Sequence, residues 1–517
     1  LKGEDTNMNK FTNPVIEGFA PDPSVCAVGD DYYLVTSTFA YFPGVPVYHS
    51  KDLVNWKQIG NALHREEQLK LLNAEHSAGI FAPCIRYHEG TFYMITTNVS
   101  HGGNFLVTAT DPAGPWSDPY FIDNAPGIDP SLFFDDDGKC YYVGTRPNPE
   151  GVKYNGDWEV WLQEFDLETM QLTGVSTKLW KGALHTAIWP EAPHIYKKDG
   201  YYYLLIAEGG TGFNHACTVA RSERVDGPYI GNKNNPILTH RHLGKDFPVH
   251  NVGHGDFVET PDGKWYITLL ASRIFDGYSN LGRETFLAEV VWEDGWPVVN
   301  PGVGRLLEVQ EHKLPLVPVE QTEKHTFETI KPEFMFLRNP DMSNFDNKVR
   351  EGWLRLHPTT TTIKDLASPT FLSVRQQSMW YKLSTHVELA LAPGGEAGLV
   401  ILQNDKYSIR LVAVEEENQT VVKMITMIDS EETVVGSEMI TEKDIVLEIH
   451  GTGQRVKGIC RVGDQELVIA EDVDAHYLST EVAGGFVGCT LGIYTTSTAK
   501  EPGYADFEWL ENKKTNK

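Results

Sequence analysis

Four segments place a chemically active side chain beside a proline or glycine at the start of an apolar run: Asp22-Pro23-Ser24, Asp129-Pro130-Ser131, Glu191-Ala192-Pro193-His194 and His254-Gly255-Asp256. A fifth, Ala82-Pro83-Cys84, has the same form without an acid. Asp22 stands 7 residues before Gly29, and Asp129, Glu191 and His254 each stand 9 before Gly138, Gly200 and Gly263. Taken singly, an Asp-Pro step is an ordinary turn in which aspartate bonds its own backbone. Three acids at matching positions, in apolar surroundings that include Phe19, Ile128 and Trp189, are better explained by convergence on one pocket. Carboxyl groups packed close together raise one another's pKa, so that one stays protonated beside another that is ionised. Cleavage of a glycosidic bond needs that pair, one group to protonate the departing oxygen and one to activate water.

The elements that would bring these residues together are visible as a repeat. A turn followed by an aromatic-rich strand recurs from Gly29, Gly90, Gly138, Gly200 and Gly263, at spacings of 61, 48, 62 and 63 residues. Asp-Gly or Glu-Gly between two alternating apolar runs marks a tight hairpin, because glycine tolerates the positive φ that the turn requires. A second motif lies between these copies: Ser50 to Trp56, Asp111 to Trp116, Asp226 to Tyr229, Asp294 to Pro297, and a weaker copy around Asp166 to Gly174. Two hairpins per period make four strands, and four-stranded sheets repeated radially make a β-propeller. The sequence thus predicts an all-β chain with a five-bladed propeller over residues 1–304, in preference to unrelated hairpins in a sandwich. The start of every inner strand would face the central axis, which is where the acids stand.

Residues 305–325, with Pro315 and Pro318, read as a linker along the surface. Alternating strands resume over residues 326–517, among them Thr370 to Gln376, Trp380 to Leu391, Tyr407 to Val414 and Phe486 to Tyr494, and predict a β-sandwich.

Composition narrows the function. Among 517 residues, Lys+Arg 44 against Asp+Glu 71 leave a net charge of −27, which repels nucleic-acid phosphates and anionic bilayers. No apolar run approaches the length of a spanning helix. The six cysteines form no Cys-x-x-Cys pair and fall in strand patterns, as buried free thiols do. Gly-x-Ser-x-Gly, phosphate-loop and His-Glu-x-x-His motifs are absent, and Asp135-Asp136-Asp137-Gly138 lacks the ligand spacing of an EF-hand and reads as a hairpin turn. The chain opens at Leu1, with a polar stretch through Lys10 that has no apolar h-region, which implies a start trimmed by a signal peptidase or in cloning.

Several of these segments together resemble glycoside hydrolase family 43: Gly-Phe-Ala-Pro-Asp-Pro-Ser (18 to 24), Ser37-Thr38-Phe39, Phe42-Pro43-Gly44, Ser50 to Trp56, Ile128-Asp129-Pro130-Ser131, Trp189-Pro190-Glu191-Ala192-Pro193 and Leu281-Gly282-Arg283-Glu284-Thr285. The resemblance implies a five-bladed propeller with an appended jelly-roll sandwich, and exo-acting α-L-arabinofuranosidases or β-D-xylosidases that cleave plant hemicellulose with inversion. Position by position it makes Asp22 the general base, Glu191 the general acid, and Asp129 the third carboxylate, which orients the acid and keeps its pKa high. Arg283 matches an arginine that grips sugar hydroxyls, and Phe39 and Phe81 match apolar walls of the terminal-sugar pocket. Gly484 to Gly488, centred on Phe486, resembles a sandwich loop that makes the pocket a dead end. His254 matches an axial histidine that contacts a calcium ion or its waters in some relatives, so the resemblance requires no cofactor and admits a structural calcium.

Two departures bear on specificity. Phe81 stands where many xylosidase relatives have Trp, and Ala20 where they often have Asn. The expected activity is therefore release of α-L-arabinofuranosyl residues from xyloglucan or arabinoxylan side chains, with β-D-xylosidase as runner-up and a catalytically silent sugar-binding propeller as the reading from another class. The expected partner is an oligosaccharide, and the expected location is the periplasm, with the cytoplasm as the alternative for a chain with unpaired cysteines.

Overall fold

The computed structural model describes residues 9–517; the stretch from Leu1 that prompted the inference of a trimmed start lies almost wholly outside the described residues. Five sheets of four strands are each built from a contiguous stretch of chain, the fourth with one additional short strand, Leu238–Thr239. The first strands of the five sheets are Ser24–Val28, Ile80–His88, Ile128–Phe134, Glu191–Lys198 and Val249–Glu259. Each packs against the next, and the fifth packs against the first, so they line the axis of a closed five-bladed propeller. The turn glycines behave as their sequence requires: Glu89 and Gly90, with φ of 47° and 84°, and Asp199 and Gly200, with φ of 50° and 84°, supply two left-handed residues in succession, the geometry that matches strand twist in a two-residue hairpin.

No blade is shared between the chain ends, so closure of the ring falls to other contacts. Ile16 bridges Thr285, the side chain of Asn13 donates to the carbonyls of Leu287 and Leu307, and Asn9–Thr12 pairs antiparallel with Val309–His312. The segment read as a linker therefore contains a strand, and Val317 further anchors it by donating its amide to Asp52.

The second domain is a sandwich of two large antiparallel sheets around a core that includes Leu383, Leu399, Leu411, Leu447 and Phe507. Two of its strands, Glu431–Ile440 and Arg455–Val462, have no strand pattern that stands out in sequence. The first is exposed along almost its whole length and the second is interrupted by Gly458, so neither shows clean alternation. The expected strand from Phe486 begins instead at Thr490, leaving Phe486 in a loop. One sandwich sheet ends on a strand of the propeller: Tyr41–Phe42 pairs with Met335–Leu337. A single apolar cluster joins Phe39, Ile80 and Phe105 of the propeller to Leu337, Phe371, Val400 and Tyr494 of the sandwich. The two domains thus share a core, which fixes the sandwich relative to the mouth of the propeller. All six cysteines are buried and free. No helix among the described residues is long and apolar enough to cross a membrane.

Candidate active site

At the start of the inner strands the ladder is interrupted in blade after blade. Pairing shifts register between Phe81 and Cys84, between Ile128 and Ser131, between Glu191 and His194, and between Gly253 and Asp256. Proline, which has no N–H to give the ladder, occupies four of the five starts. Asp22, Asp129, Ala192 and His254 take φ of 56°, 54°, 52° and 54°. A bulge of this kind turns a side chain out of the pleat, and it falls on the strands that carry Asp129, Glu191 and His254, while Asp22 precedes a strand that pairs without a shift. The strain of these left-handed residues is concentrated where the sequence places its chemistry.

The acids fall into two environments. On blade one, Asp22 accepts from Ser37 Oγ at 2.6 Å and lies 3.3 Å from both Arg283 and His254, the latter contributed by blade five. Burial works against its ionisation, but Arg283, His254 and the Ser37 hydroxyl outweigh it and hold the carboxyl below its usual range. On blades three and four, Asp129 accepts from the backbone N–H of Ala192 at 2.9 Å, which ties it to the residue after Glu191. Burial, followed by the negative charges of Asp129 and Asp22, raises Glu191 well above the ordinary carboxyl range, with Arg283 only partly opposing. Burial also lifts Asp129, to about 6, so its negative charge is present only above that pH. Two carboxyls driven in opposite directions are what a base and an acid catalyst require, the ionised form favoured in Asp22 and the protonated form in Glu191.

Arg283 spans the floor. It donates to Thr211 Oγ1 at 2.9 Å and to the carbonyl of Phe486 at 3.2 Å, and its buried Nε has no protein partner. Its sequence neighbour Glu284 is occupied elsewhere, accepting two bonds of 2.7 Å from Arg273. Phe39, Phe81 and Phe486 form a triangle, with ring centroids 5.6 to 5.9 Å apart, and the guanidinium lies over Phe39 and Phe486 at 5.8 and 5.4 Å. The sandwich loop reaches this wall because the backbone meets the propeller directly. A Cβ on Gly488 would come within 2.1 Å of the Leu281 carbonyl, and one on Gly282 within 2.7 Å of Gly488 Cα. The Phe486 amide donates to Ser77 Oγ at 2.9 Å, and Glu481 accepts from both the amide and the hydroxyl of Ser279.

Contacts and mutual electrostatics thus link all eight residues singled out in the sequence into one cluster. Sequence reading missed the groups that hold them: Thr211, signalled only by the run Gly-Gly-Thr-Gly; Ser37, whose bond to Asp22 is invisible in a single strand; and His215. The last is buried, bonds the Asn251 carbonyl through Nδ1 and leaves Nε2 without a partner, and its pKa is lowered by burial to about 3. It is a neutral imidazole beside the acids.

Two residues beyond His254, Asp256 is paired with a guanidinium. Asp256 receives two bonds from Arg86, at 2.8 and 2.9 Å, one from Ser24 Oγ at 2.8 Å, one from the Val25 amide at 3.0 Å, and one from the Tyr196 hydroxyl. With its oxygens so engaged and a cation already beside it, Asp256 is a poor ligand for a metal ion, and His254 has turned its Nδ1 to Asp22.

Residues 11–297 match Glycosyl hydrolases family 43, and residues 324–513 match the Beta xylosidase C-terminal Concanavalin A-like domain. The chain belongs to glycoside hydrolase family 43. Within the family it is 49% identical to a xylosidase/arabinosidase of Butyrivibrio fibrisolvens, with 96% of this chain and 98% of the relative covered. It is 38% identical to a non-reducing end alpha-L-arabinofuranosidase of Bacteroides ovatus, over 97% of this chain and 94% of that protein. Among solved structures, the Bacteroides ovatus xyloglucan PUL GH43B superposes with a TM-score of 0.91 at 37% identity over 98% of this chain and all of that one. A xylan beta-1,4-xylosidase from Bacillus halodurans gives the same TM-score at 33% identity, with 98% and 100% covered. This family 43 enzyme is therefore a glycosidase of the arabinosidase/xylosidase group, and the propeller-plus-sandwich architecture expected from the repeats is that of the family.

Proposed function

We propose that the enzyme releases terminal non-reducing α-L-arabinofuranosyl residues from hemicellulose side chains, with inversion at the anomeric carbon. Glu191 donates its proton to the departing oxygen. Asp22, held ionised by Arg283 and His254, takes the proton of a water that attacks from the opposite face. Asp129 orients Glu191 through the Ala192 amide and keeps it protonated. Asp22 and Glu191 come from blades one and four, which are not neighbours in the ring, and such placement suits the about 6.5–9.5 Å that an intervening water needs.

The observation that carries the choice of sugar is the wall of Phe39, Phe81 and Phe486. Phenylalanine at position 81 leaves more room than an indole would, and that room suits the exocyclic hydroxymethyl group of arabinofuranose. A second reading, β-D-xylosidase, is favoured by the relatives named for that activity. Apolar shape alone separates such sugars weakly, by about 1–3 kcal/mol per methylene-sized difference, so turnover of both is expected. The test compares kcat/KM on 4-nitrophenyl α-L-arabinofuranoside and β-D-xylopyranoside. Arabinoside should lead in the wild type, and Phe81→Trp should move the ratio toward xyloside. A tenfold wild-type preference for xyloside would promote the second reading.

The raised pKa of Glu191 gives a pH prediction. An acid catalyst is lost as pH rises through its own pKa, which sets the alkaline limb of the activity profile. The Asp129 charge pushes that pKa up. Asp129→Asn keeps an acceptor for the Ala192 amide and removes the charge, so the alkaline limb should shift to lower pH. An unmoved limb would reduce Asp129 to a structural turn residue.

A further inference from the structure

One apolar surface lies outside the terminal-sugar pocket yet touches the element that carries the acid. Trp189, two residues before Glu191, is half-buried and sits at φ of 50°, an unusual conformation for an aromatic residue. It is held there from two sides: its amide donates to the Gly156 carbonyl at 2.8 Å, and the Gly209 amide donates to the carbonyl of Ile188 at 2.9 Å. Its ring meets that of Trp158, also half-buried, with centroids 5.2 Å apart. Ile188 and Leu184 on the same loop are 37% and 52% exposed, which is costly surface to leave in water unless something covers it. The loops are packed together so closely that a Cβ on Gly156 would come within 2.9 Å of both Ile188 Cβ and Trp189 Cδ1.

Position identifies the occupant. The sandwich loop is seated on Ser77 and on Asn280 to Gly282, which walls the mouth on the side of blades two and five. The terminal sugar lies against Phe39, Phe81 and Phe486. The bond to be broken must place its oxygen within hydrogen-bond reach of Glu191, so the rest of the substrate leaves the pocket beside Glu191, over blades three and four. Trp158 and Trp189 belong to those blades. A pyranose chair presents a face of C–H groups, and the negative π-face of an indole attracts such a face.

We propose that Trp189 and Trp158, with Ile188 at their edge, form the platform for the first pyranose ring of the leaving saccharide. Trp189 is then a specificity-determining residue that favours arabinosyl or xylosyl groups carried on a sugar chain over those carried on a small alcohol. The inference rests on Glu191 as the proton donor. Two glycosides of the same terminal sugar test it: arabinofuranosyl-xylotriose and methyl α-L-arabinofuranoside. Trp189→Ala should lower the ratio of their kcat/KM values by about tenfold, mainly through KM on the oligosaccharide. Inhibition by free arabinose should be unchanged, because the terminal-sugar pocket is intact, and Trp189→Phe should recover most of the loss. Equal losses on both substrates would mean that Trp189 only props Glu191, and no change would remove the platform altogether; either result overturns the proposal. Should Trp189→Ala fail to fold, Trp158→Ala on the neighbouring loop carries the same expectation. If Glu191 were not the acid, Glu191→Gln would slow the oligosaccharide and 4-nitrophenyl α-L-arabinofuranoside alike, while Trp189→Ala still separated the oligosaccharide from the methyl glycoside. If only the platform were wrong, Glu191→Gln would spare the 4-nitrophenyl glycoside, and Trp189→Ala would not separate the oligosaccharide from the methyl glycoside.

Discussion

Glu191→Gln is expected to slow hydrolysis of oligosaccharides by about 10²–10⁴-fold while leaving 4-nitrophenyl glycosides far less affected. A sugar hydroxyl is a poor leaving group and cannot depart without a proton, whereas 4-nitrophenolate can. Glutamine keeps the shape of the side chain and its place at the strand start, and it removes only the proton. In this protein the proton is held the more firmly because burial and the charges of Asp129 and Asp22 raise Glu191 well above the ordinary carboxyl range. Steady-state kinetics on the two substrate types decide the matter. Equal losses would take Glu191 out of the acid role.

Asp22→Asn should behave differently, abolishing turnover of both substrate types by about 10³-fold or more, within the range for loss of a general base. Water must be activated whichever leaving group departs, so an activated aglycone offers no escape. Arg283, His254 and Ser37 all converge on this carboxylate, and among the described residues no other carboxylate touches the same arginine. The substitution also leaves Arg283 and His254 facing a neutral amide, so binding of product should be measured beside turnover. Retained arabinose binding with lost turnover identifies Asp22 as the base; retained turnover of the aryl glycoside would contradict that role.

The parts of this account that rest on local chemistry were legible in the sequence. Each hairpin is closed by its own glycine, and the acids stand 7 or 9 residues before their glycines, so blade number and acid set could be read together. What the sequence concealed is non-local. Nothing near Tyr41–Phe42 signals that it completes a sheet of the other domain, and nothing near Val309–His312 signals its pairing with Asn9–Thr12. Glu431–Ile440 lacks a buried face and so lacks the alternation by which strands are recognised. Phe486 was grouped with the strand that follows it because its neighbours are apolar, although the loop is held out by Ser77 and by the carbonyl it offers to Arg283. Burial, which the sequence does not show, moves Asp129 to about 6 and makes its influence on Glu191 strongest above that pH.

The two charge environments are the centre of the account: a base kept ionised by Arg283 and His254, and an acid kept protonated by burial and Asp129, on blades that are not neighbours. In the proposed mechanism a water between them attacks directly, in a single displacement. Proton NMR of the first-formed sugar, recorded before mutarotation, tests this most directly. From an α-L-arabinofuranoside the account predicts that the β-anomer appears first, and from a β-D-xylopyranoside the α-anomer. Initial release of the anomer that matches the substrate would mean a covalent glycosyl-enzyme intermediate, and would contradict the roles given to Asp22 and Glu191.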